Sequence, residues 1–133
     1  IGSMNIVEGI VPRNQVQVGS LEFPAPGFSD GQKLQVGFRP YYVKVAEDAT
    51  RYRQQAKLRH IYFLGVAYRL EIETADGLIL RSRMNKEEFR RCNFTVGQAV
   101  SFAVTHFRIL PQEGAEASSE AKPGSPITGP LTP

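Results

Sequence analysis

The chain has 133 residues, 41% of them hydrophobic, which is enough for one folded domain with a modest core. No apolar run approaches the roughly 20 residues of a membrane-spanning helix, and the start has no basic and apolar segment typical of a signal peptide. Cys92 is the only cysteine, which excludes an internal disulfide. Residues 1–111 carry 15 bases and 10 acids while residues 112–133 carry one base and three acids, a mildly basic balance compatible with nucleic acid or a phospholipid surface.

The first third of the chain predicts short strands separated by turns. Alternating apolar residues mark strands at 5–11, 15–18, 21–23 and 34–38. Pro40 has no amide hydrogen, so the strand ladder must break or bulge there, and a short strand is expected after it.

The segment Ile61–Arg83 predicts a long hairpin with nothing reactive on it. Gly65 interrupts the alternation, which predicts a bulge or kink where no side chain fits. The pair Asp76-Gly77 fits a type I′ turn, in which both central residues have positive φ.

Charges and aromatic residues on this hairpin give two further predictions. On the outer face, Glu71 and Glu73 are expected to lie cross-strand from Arg81 and Arg83. The aromatic residues mostly share the parity of the core positions, which removes them from any outer stacking surface.

One short helix and a last strand complete the predicted fold. Asn85 can cap the helix, and the alternation from Val100 continues to Ile109 as one strand. So many short strands would leave exposed edges unless the sheet closed. We therefore predict an all-β domain, a small antiparallel barrel of the oligonucleotide/oligosaccharide-binding (OB) type, at residues 1–111. The Gly-, Pro- and Ser-rich residues 112–133 predict a mobile tail.

The sequence contains no recognisable catalytic or metal-binding arrangement. His60 and His106 have no histidine or cysteine at metal-ligand spacing, and no nucleophile elbow or glycine-rich phosphate loop is present. The basic stretch at residues 51–59 could follow a phosphate backbone, but it also fits a solvated strand face. We therefore expect no catalytic residue and no metal site in this chain.

A series of short motifs resembles a known family. The order is Arg39-Pro40 at a strand end, a polar loop, Leu64-Gly65, the Asp76-Gly77 hairpin and a last strand after Val96-Gly97-Gln98. This order, with the opening Ile-Gly-Ser-Met-Asn, resembles the TOBE domain, the C-terminal regulatory barrel of ATP-binding subunits of bacterial ABC importers. The short helical insert before Val96 is most similar to the sulfate/molybdate branch. The family often has an acidic residue after Arg-Pro, and Tyr41 stands there instead.

The resemblance implies a function for the parent chain and its partners. It implies a non-catalytic regulatory and dimerisation domain, with ATP and magnesium bound by an ATPase domain elsewhere in the parent. The implied partners are a second copy of the subunit and the importer's membrane subunits, at the cytoplasmic side of the inner membrane. A regulatory protein or an oxyanion is a further possible partner.

The resemblance also suggests which residues matter. Arg39, Pro40 and Tyr41 are the candidate contact residues, whereas Gly65 and Gly77 are expected to serve backbone geometry. Two alternative functions stay open, a nucleic-acid-binding module, which is less favoured, and a small-oxyanion-binding module. The transported solute is not encoded in any motif.

Overall fold

The structure of the protein is a computed structural model that describes residues 4–19, 21–111 and 126–128. Its strands are β1 (Asn5–Ile10), β2 (Gln15–Val18), β3 (Leu21–Pro24), β4 (Lys33–Phe38), β5 (Val43–Ala46), β6 (Gln54–Phe63), β7 (Ala67–Glu73), β8 (Ile79–Asn85), β9 (Ala99–Val104), β10 (His106–Pro111) and β11 (Pro126–Thr128). A single 3₁₀ turn, Pro40–Tyr42, separates β4 from β5, and the helix α1 (Lys86–Arg90) follows β8. The predicted all-β class with one short helix is confirmed.

The strands form two antiparallel sheets in a barrel-like, OB-like arrangement, as predicted. The first sheet has the order β11-β10-β4-β1-β2-β3, and the second has the order β5-β9-β6-β7-β8. One cluster of buried side chains from both sheets forms the core, including Phe23, Phe38 and Phe102. Phe23 packs edge-on against Phe107 with ring centroids 5.1 Å apart. Burying one such side chain contributes roughly 1.5–3 kcal/mol, so these rings contribute strongly to the stability of the core.

The chain passes between the two sheets at two places that lie side by side. The first is the turn at Pro40, where the ladder ends as predicted, because β4 belongs to one sheet and β5 to the other. The second is Thr105, between β9 and β10. Its backbone N–H donates to the carbonyl oxygen of Tyr42 at 2.8 Å, which joins the two crossings.

The prediction of one continuous last strand to Ile109 is therefore wrong. The large buried apolar residues stand at even positions in β9, at 100, 102 and 104, and at odd positions in β10, at 107 and 109, so their alternation changes phase at Thr105. The change of sheet therefore coincides with a phase shift that the prediction of one strand overlooked.

The prediction that Gly65 is a bulge where no side chain fits is also wrong. Gly65 lies in the turn between β6 and β7 with φ of 89°, and apart from its two chain neighbours no described residue comes within 4 Å of where a Cβ would stand. A glycine is favoured there because of its positive φ, not for lack of space.

The irregularity in this hairpin lies at Arg59, where the register between β6 and β7 shifts. Leu58 pairs with Ile72 and His60 pairs with Glu71, so Arg59 is the extra residue. The shift turns His60 and Tyr62 outward, and Phe63 is 59% exposed. The prediction that the aromatic residues follow core parity is therefore wrong for this part of β6.

The second hairpin turn differs from the predicted type I′ geometry. Gly77 has φ of 92°, but Asp76 is not among the residues with positive φ. The backbone N–H of Gly77 donates to the carbonyl oxygen of Thr74, and that of Thr74 donates to the carbonyl oxygen of Leu78. This pattern is typical of a three-residue loop with one glycine in the left-handed region.

The predicted cross-strand ion pairs are half correct. Glu71 lies opposite Arg81, with 3.5 Å between carboxylate and guanidinium. Glu73 instead accepts from Arg59 at 2.7 Å, because the bulge brings that arginine over the end of β7, and Arg83 lies opposite Arg69.

The helix begins as the sequence predicts. The side chain of Asn85 accepts a hydrogen bond from the backbone N–H of Glu88 at 2.8 Å. Phe89 then packs flat on Tyr68, with ring centroids 3.8 Å apart.

A short strand lies within the segment predicted as a tail. Strand β11 pairs with β10 through three residue pairs, His106 with Thr128, Phe107 with Ile127 and Arg108 with Pro126. The rest of the predicted tail, residues 112–125 and 129–133, lies outside the described residues.

Candidate functional site

A cavity of about 300 Å³ opens where the two crossings meet. Its walls come from the end of β4, the turn Pro40–Tyr42 and the start of β10. The fold therefore brings together residues from two distant parts of the sequence. Crossing points of this kind leave a recess, since neither sheet continues across them.

Positive charge dominates the lining of this cavity, which we call the Arg39 cavity. Arg39 and Arg108 contribute guanidinium groups, and His106 contributes an imidazole ring. None of the residues that line it in the described part of the chain is an aspartate or glutamate. An anion entering the cavity would thus meet no opposing carboxylate at its surface.

Three aromatic rings in series form one wall. The rings of Tyr41 and Tyr42 lie 4.6 Å apart, and the rings of Tyr42 and His106 lie 4.5 Å apart. The hydroxyl of Thr105 contacts two residues of this series, 3.2 Å from the carbonyl oxygen of Tyr42 and 3.2 Å from Nδ1 of His106. The wall is thus held by the same residues that join the two crossings.

A close approach of strands forms the floor. Gly37 is buried opposite Arg108 in the pairing of β4 with β10. A Cβ at Gly37 would stand 3.3 Å from the Sδ of Met4 and 3.4 Å from Cδ1 of Leu110. A larger side chain here would therefore require Met4 and Leu110 to move.

The predicted contact residues occupy different positions around this cavity. Arg39 and Tyr41 line it, and Tyr41 is 50% exposed. Pro40 is buried and begins the 3₁₀ turn, so it shapes the backbone between them. Gly65 and Gly77 lie in the two hairpin turns of the second sheet, away from the cavity.

Sequence reasoning missed three residues of this site, Tyr42, His106 and Arg108. His106 was considered only as a possible metal ligand. Its place beside Arg39 depends on the change of sheet at Thr105, which the phase shift of the apolar residues there could have indicated. The pairing of β4 with β10 then fixes Arg108 next to the cavity.

Two observations on the described part of the chain concern metal binding and the reactivity of Cys92. No group of three or more histidine, cysteine or acidic side chains there could hold a metal ion. Burial and then Glu47 raise the pKa of the Cys92 thiol, which disfavours the thiolate that a nucleophile needs. Within the same residues, no helix has the length and apolarity to cross a membrane.

Comparison with known proteins bears on the family and on the fold. The TOBE domain family matches residues 36–110, more than half of the chain, from within β4 to within β10. This match confirms the TOBE resemblance predicted from the motifs. No curated protein sequence matches the chain.

Among solved structures, the chain is similar to the cytoplasmic molybdate-binding protein ModG, in a crystal form with molybdate bound. The TM-score is 0.60 at 14% sequence identity, over 74% of this chain and 87% of that one. At this identity the likeness concerns the fold alone.

Proposed function

Because this chain belongs to the TOBE domain family, we propose that it is a non-catalytic regulatory barrel whose Arg39 cavity binds a small oxyanion. The observation that carries the proposal is the convergence of Arg39, His106 and Arg108 on one recess without a lining carboxylate. Tetrahedral oxyanions such as molybdate, tungstate and sulfate are the ligand class that fits this chemistry.

The donors of the cavity suit such a ligand. Each guanidinium group offers several N–H donors in a planar fork, which can hold two oxygens of one anion. Hydrogen bonds of this charge-assisted kind are about twice as strong as neutral ones. The hydroxyls of Tyr41 and Tyr42 can donate to the remaining oxygens.

The fold comparison supports the choice of ligand class. ModG is described as a molybdate-binding protein, and the barrel-like arrangement is similar in both chains. The proposed binding residues come from this chain's own cavity and are not transferred from that protein.

We also propose a place for this barrel in a larger protein. It would be the C-terminal domain of an ATP-binding subunit of an ABC importer, with ATP and magnesium held by the ATPase domain. The subunit would pair with a second copy and with the importer's membrane subunits, at the cytoplasmic face of the inner membrane. Oxyanion binding could then regulate transport only by favouring one arrangement of the paired subunits over another.

Calorimetric titration of the chain with molybdate, tungstate and sulfate tests the proposed ligand. We expect at least one of the three to release heat and to raise the melting temperature. Arg39→Gln and Arg108→Gln should each weaken binding about tenfold, which corresponds to about 1.4 kcal/mol. The matched control is Arg53→Gln, because Arg53 is exposed and lines no described cavity.

Two results would contradict the oxyanion proposal. One is the absence of heat and of any melting shift with all three anions. The other is an equal loss of affinity in Arg53→Gln, which would indicate a general charge effect.

The place in an importer has its own test. The sequence encoded upstream of Ile1 should contain a phosphate-binding loop of the form GxxxxGK[ST]. Titration with a single-stranded oligonucleotide at low salt tests the nucleic-acid alternative, for which we expect no tight binding. A tight, steeply salt-dependent association would favour that alternative instead.

A further inference from the structure

A second recess of about 330 Å³ lies between the edges of the second sheet. It is bounded by β5 and β8, the two outermost strands of that sheet, and by the loop before β6 and the region of α1. None of its lining residues lines the Arg39 cavity. We call it the basic groove.

Four cationic residues from four different segments line the basic groove. Lys44 comes from β5, Arg51 from the loop before β6, Arg83 from β8, and Arg91 from the turn after α1. All four side chains are exposed to solvent. The closing of the barrel thus gathers charges that lie up to forty-seven positions apart in the sequence.

One carboxylate lines the basic groove and two more lie beside it. Glu88 is the one acidic residue among those that line it in the described chain. Asp48 interacts electrostatically with Arg51, and the carboxylate of Glu47 interacts with the thiol of Cys92. The salt bridges of the described residues join Arg59 to Glu73, and both His60 and Arg81 to Glu71. None of these pairs includes a cation of the basic groove.

An aromatic ring lies at one side of the groove. Tyr52 is half-buried, its backbone N–H donates to Oγ of Ser101 at 3.1 Å, and the guanidinium of Arg51 stands 5.5 Å from its ring centre. The ring is therefore held in place beside the cations, where it could stack on a flat ligand group.

From this arrangement we propose that the basic groove binds a multiply charged phosphate chain, either free or as part of a nucleotide. Four cations spread across a recess of this volume, with one carboxylate in its lining, match an extended polyanion better than a single tetrahedral ion. Lysine and arginine are the usual partners of phosphate oxygens. The site is separate from the proposed oxyanion site and does not depend on it.

Calorimetry with sodium tripolyphosphate, magnesium-free ATP and AMP provides the test, with the complete 133-residue chain. We expect tripolyphosphate to bind at one site with an affinity that falls as salt is added, because the cations are exposed. AMP should bind at least tenfold more weakly, since it carries one phosphate group. Equal affinity for tripolyphosphate and ATP would identify the phosphate chain alone as the ligand. Tighter binding of ATP than of tripolyphosphate would show that the base also contributes, by stacking on Tyr52.

Two double variants test whether tripolyphosphate binds in the basic groove. The double variant Arg51→Gln/Arg83→Gln should lose about tenfold or more in affinity for tripolyphosphate. The matched control, Arg53→Gln/Lys57→Gln, removes two exposed charges that line neither recess and should change affinity less than twofold. Glu88→Gln should tighten binding about threefold, because it removes the opposing carboxylate.

Three outcomes would overturn the proposal. The first is the absence of tripolyphosphate binding at low salt. The second is an equal loss of tripolyphosphate affinity in the two double variants. The third is a loss of tripolyphosphate affinity in Arg39→Gln/Arg108→Gln as large as that in Arg51→Gln/Arg83→Gln. The last result would place the phosphate chain in the Arg39 cavity. Molybdate binding to the Arg39 cavity can succeed or fail independently of each of them.

Discussion

The side chain of Asn5 forms two hydrogen bonds with the backbone of Arg81. Its Nδ2 donates to the carbonyl oxygen of Arg81 at 2.8 Å, and its Oδ1 accepts from the N–H of Arg81 at 2.7 Å. Asn5 is buried in β1 of the first sheet, whereas Arg81 lies in β8 at the edge of the second. The amide group thus pairs with the edge of β8 as another strand would, and it joins the two sheets where no backbone ladder does.

Replacing Asn5 by alanine should lower the free energy of unfolding by about 2 kcal/mol, because two hydrogen bonds are lost and the Arg81 backbone loses its partner. Urea denaturation measures this change. The control Asn93→Ala, at an exposed position, should stay within about 0.5 kcal/mol of the parent chain. A similar small effect for Asn5→Ala would show that the contact between the sheets contributes little.

Replacing Gly9 by alanine should destabilise the first sheet through a steric conflict. A Cβ at Gly9 would stand 2.4 Å from the carbonyl oxygen of Gln17 and 2.7 Å from a methyl of Val18. Relieving this overlap should cost about 1–3 kcal/mol in unfolding free energy. Glu8→Ala, at the exposed neighbouring position, is the control, and equal stability of the two variants would contradict the close approach of β1 and β2.

Two substitutions at Gly65 separate backbone strain from crowding. Asparagine adopts positive φ readily and the position has open space, so Gly65→Asn should cost less than about 1 kcal/mol. Gly65→Val should cost clearly more, because a β-branched residue is strained at that φ. Thermal unfolding compares the two, and equal large losses would instead indicate that side chains do not fit there.

The carboxylate of Asp48 provides a prediction of pH dependence. The hydroxyl and then the backbone N–H of Thr50 donate to it, at 2.7 Å and 2.9 Å, and these bonds lower its pKa below 3.8. A lowered pKa in the folded state contributes stability above about pH 4, and this contribution is lost as pH falls through the folded pKa.

Carboxyl NMR titration tests this prediction. Thr50→Val removes the hydroxyl donor, so the pKa of Asp48 should rise towards its ordinary value. The stability difference between this variant and the parent chain should be present near neutral pH and should shrink in acid. Thr95→Val, exposed and remote in sequence, should leave the Asp48 titration unchanged.

Local signals in the sequence predicted the elements well. The proline at position 40, the cap at Asn85 and the alternation of apolar residues identified the strand ends, the helix and the core faces. Each of these signals depends on neighbours within a few residues, which is where sequence patterns are informative.

The features that sequence reasoning missed depend on distant contacts. The bulge at Arg59 changes which side chains of β6 face the core, and no glycine or proline marks it in the sequence. A phase shift of the apolar residues marks the break at Thr105, but the pairing of Arg108 with Gly37 depends on how the sheets meet, and together they create the Arg39 cavity. Arg39 and Tyr41 could be selected from their motif, but their partners in the cavity could not.

The family match starts at Val36, inside β4, and so leaves β1, β2 and β3 outside it. Yet β1 covers the edge of β4 through six residue pairs and carries the asparagine that reaches β8. A shortened chain cut at the family boundary would expose that edge to other molecules, with aggregation as the physical consequence. We therefore expect the shortest fragment that folds without aggregating to include β1.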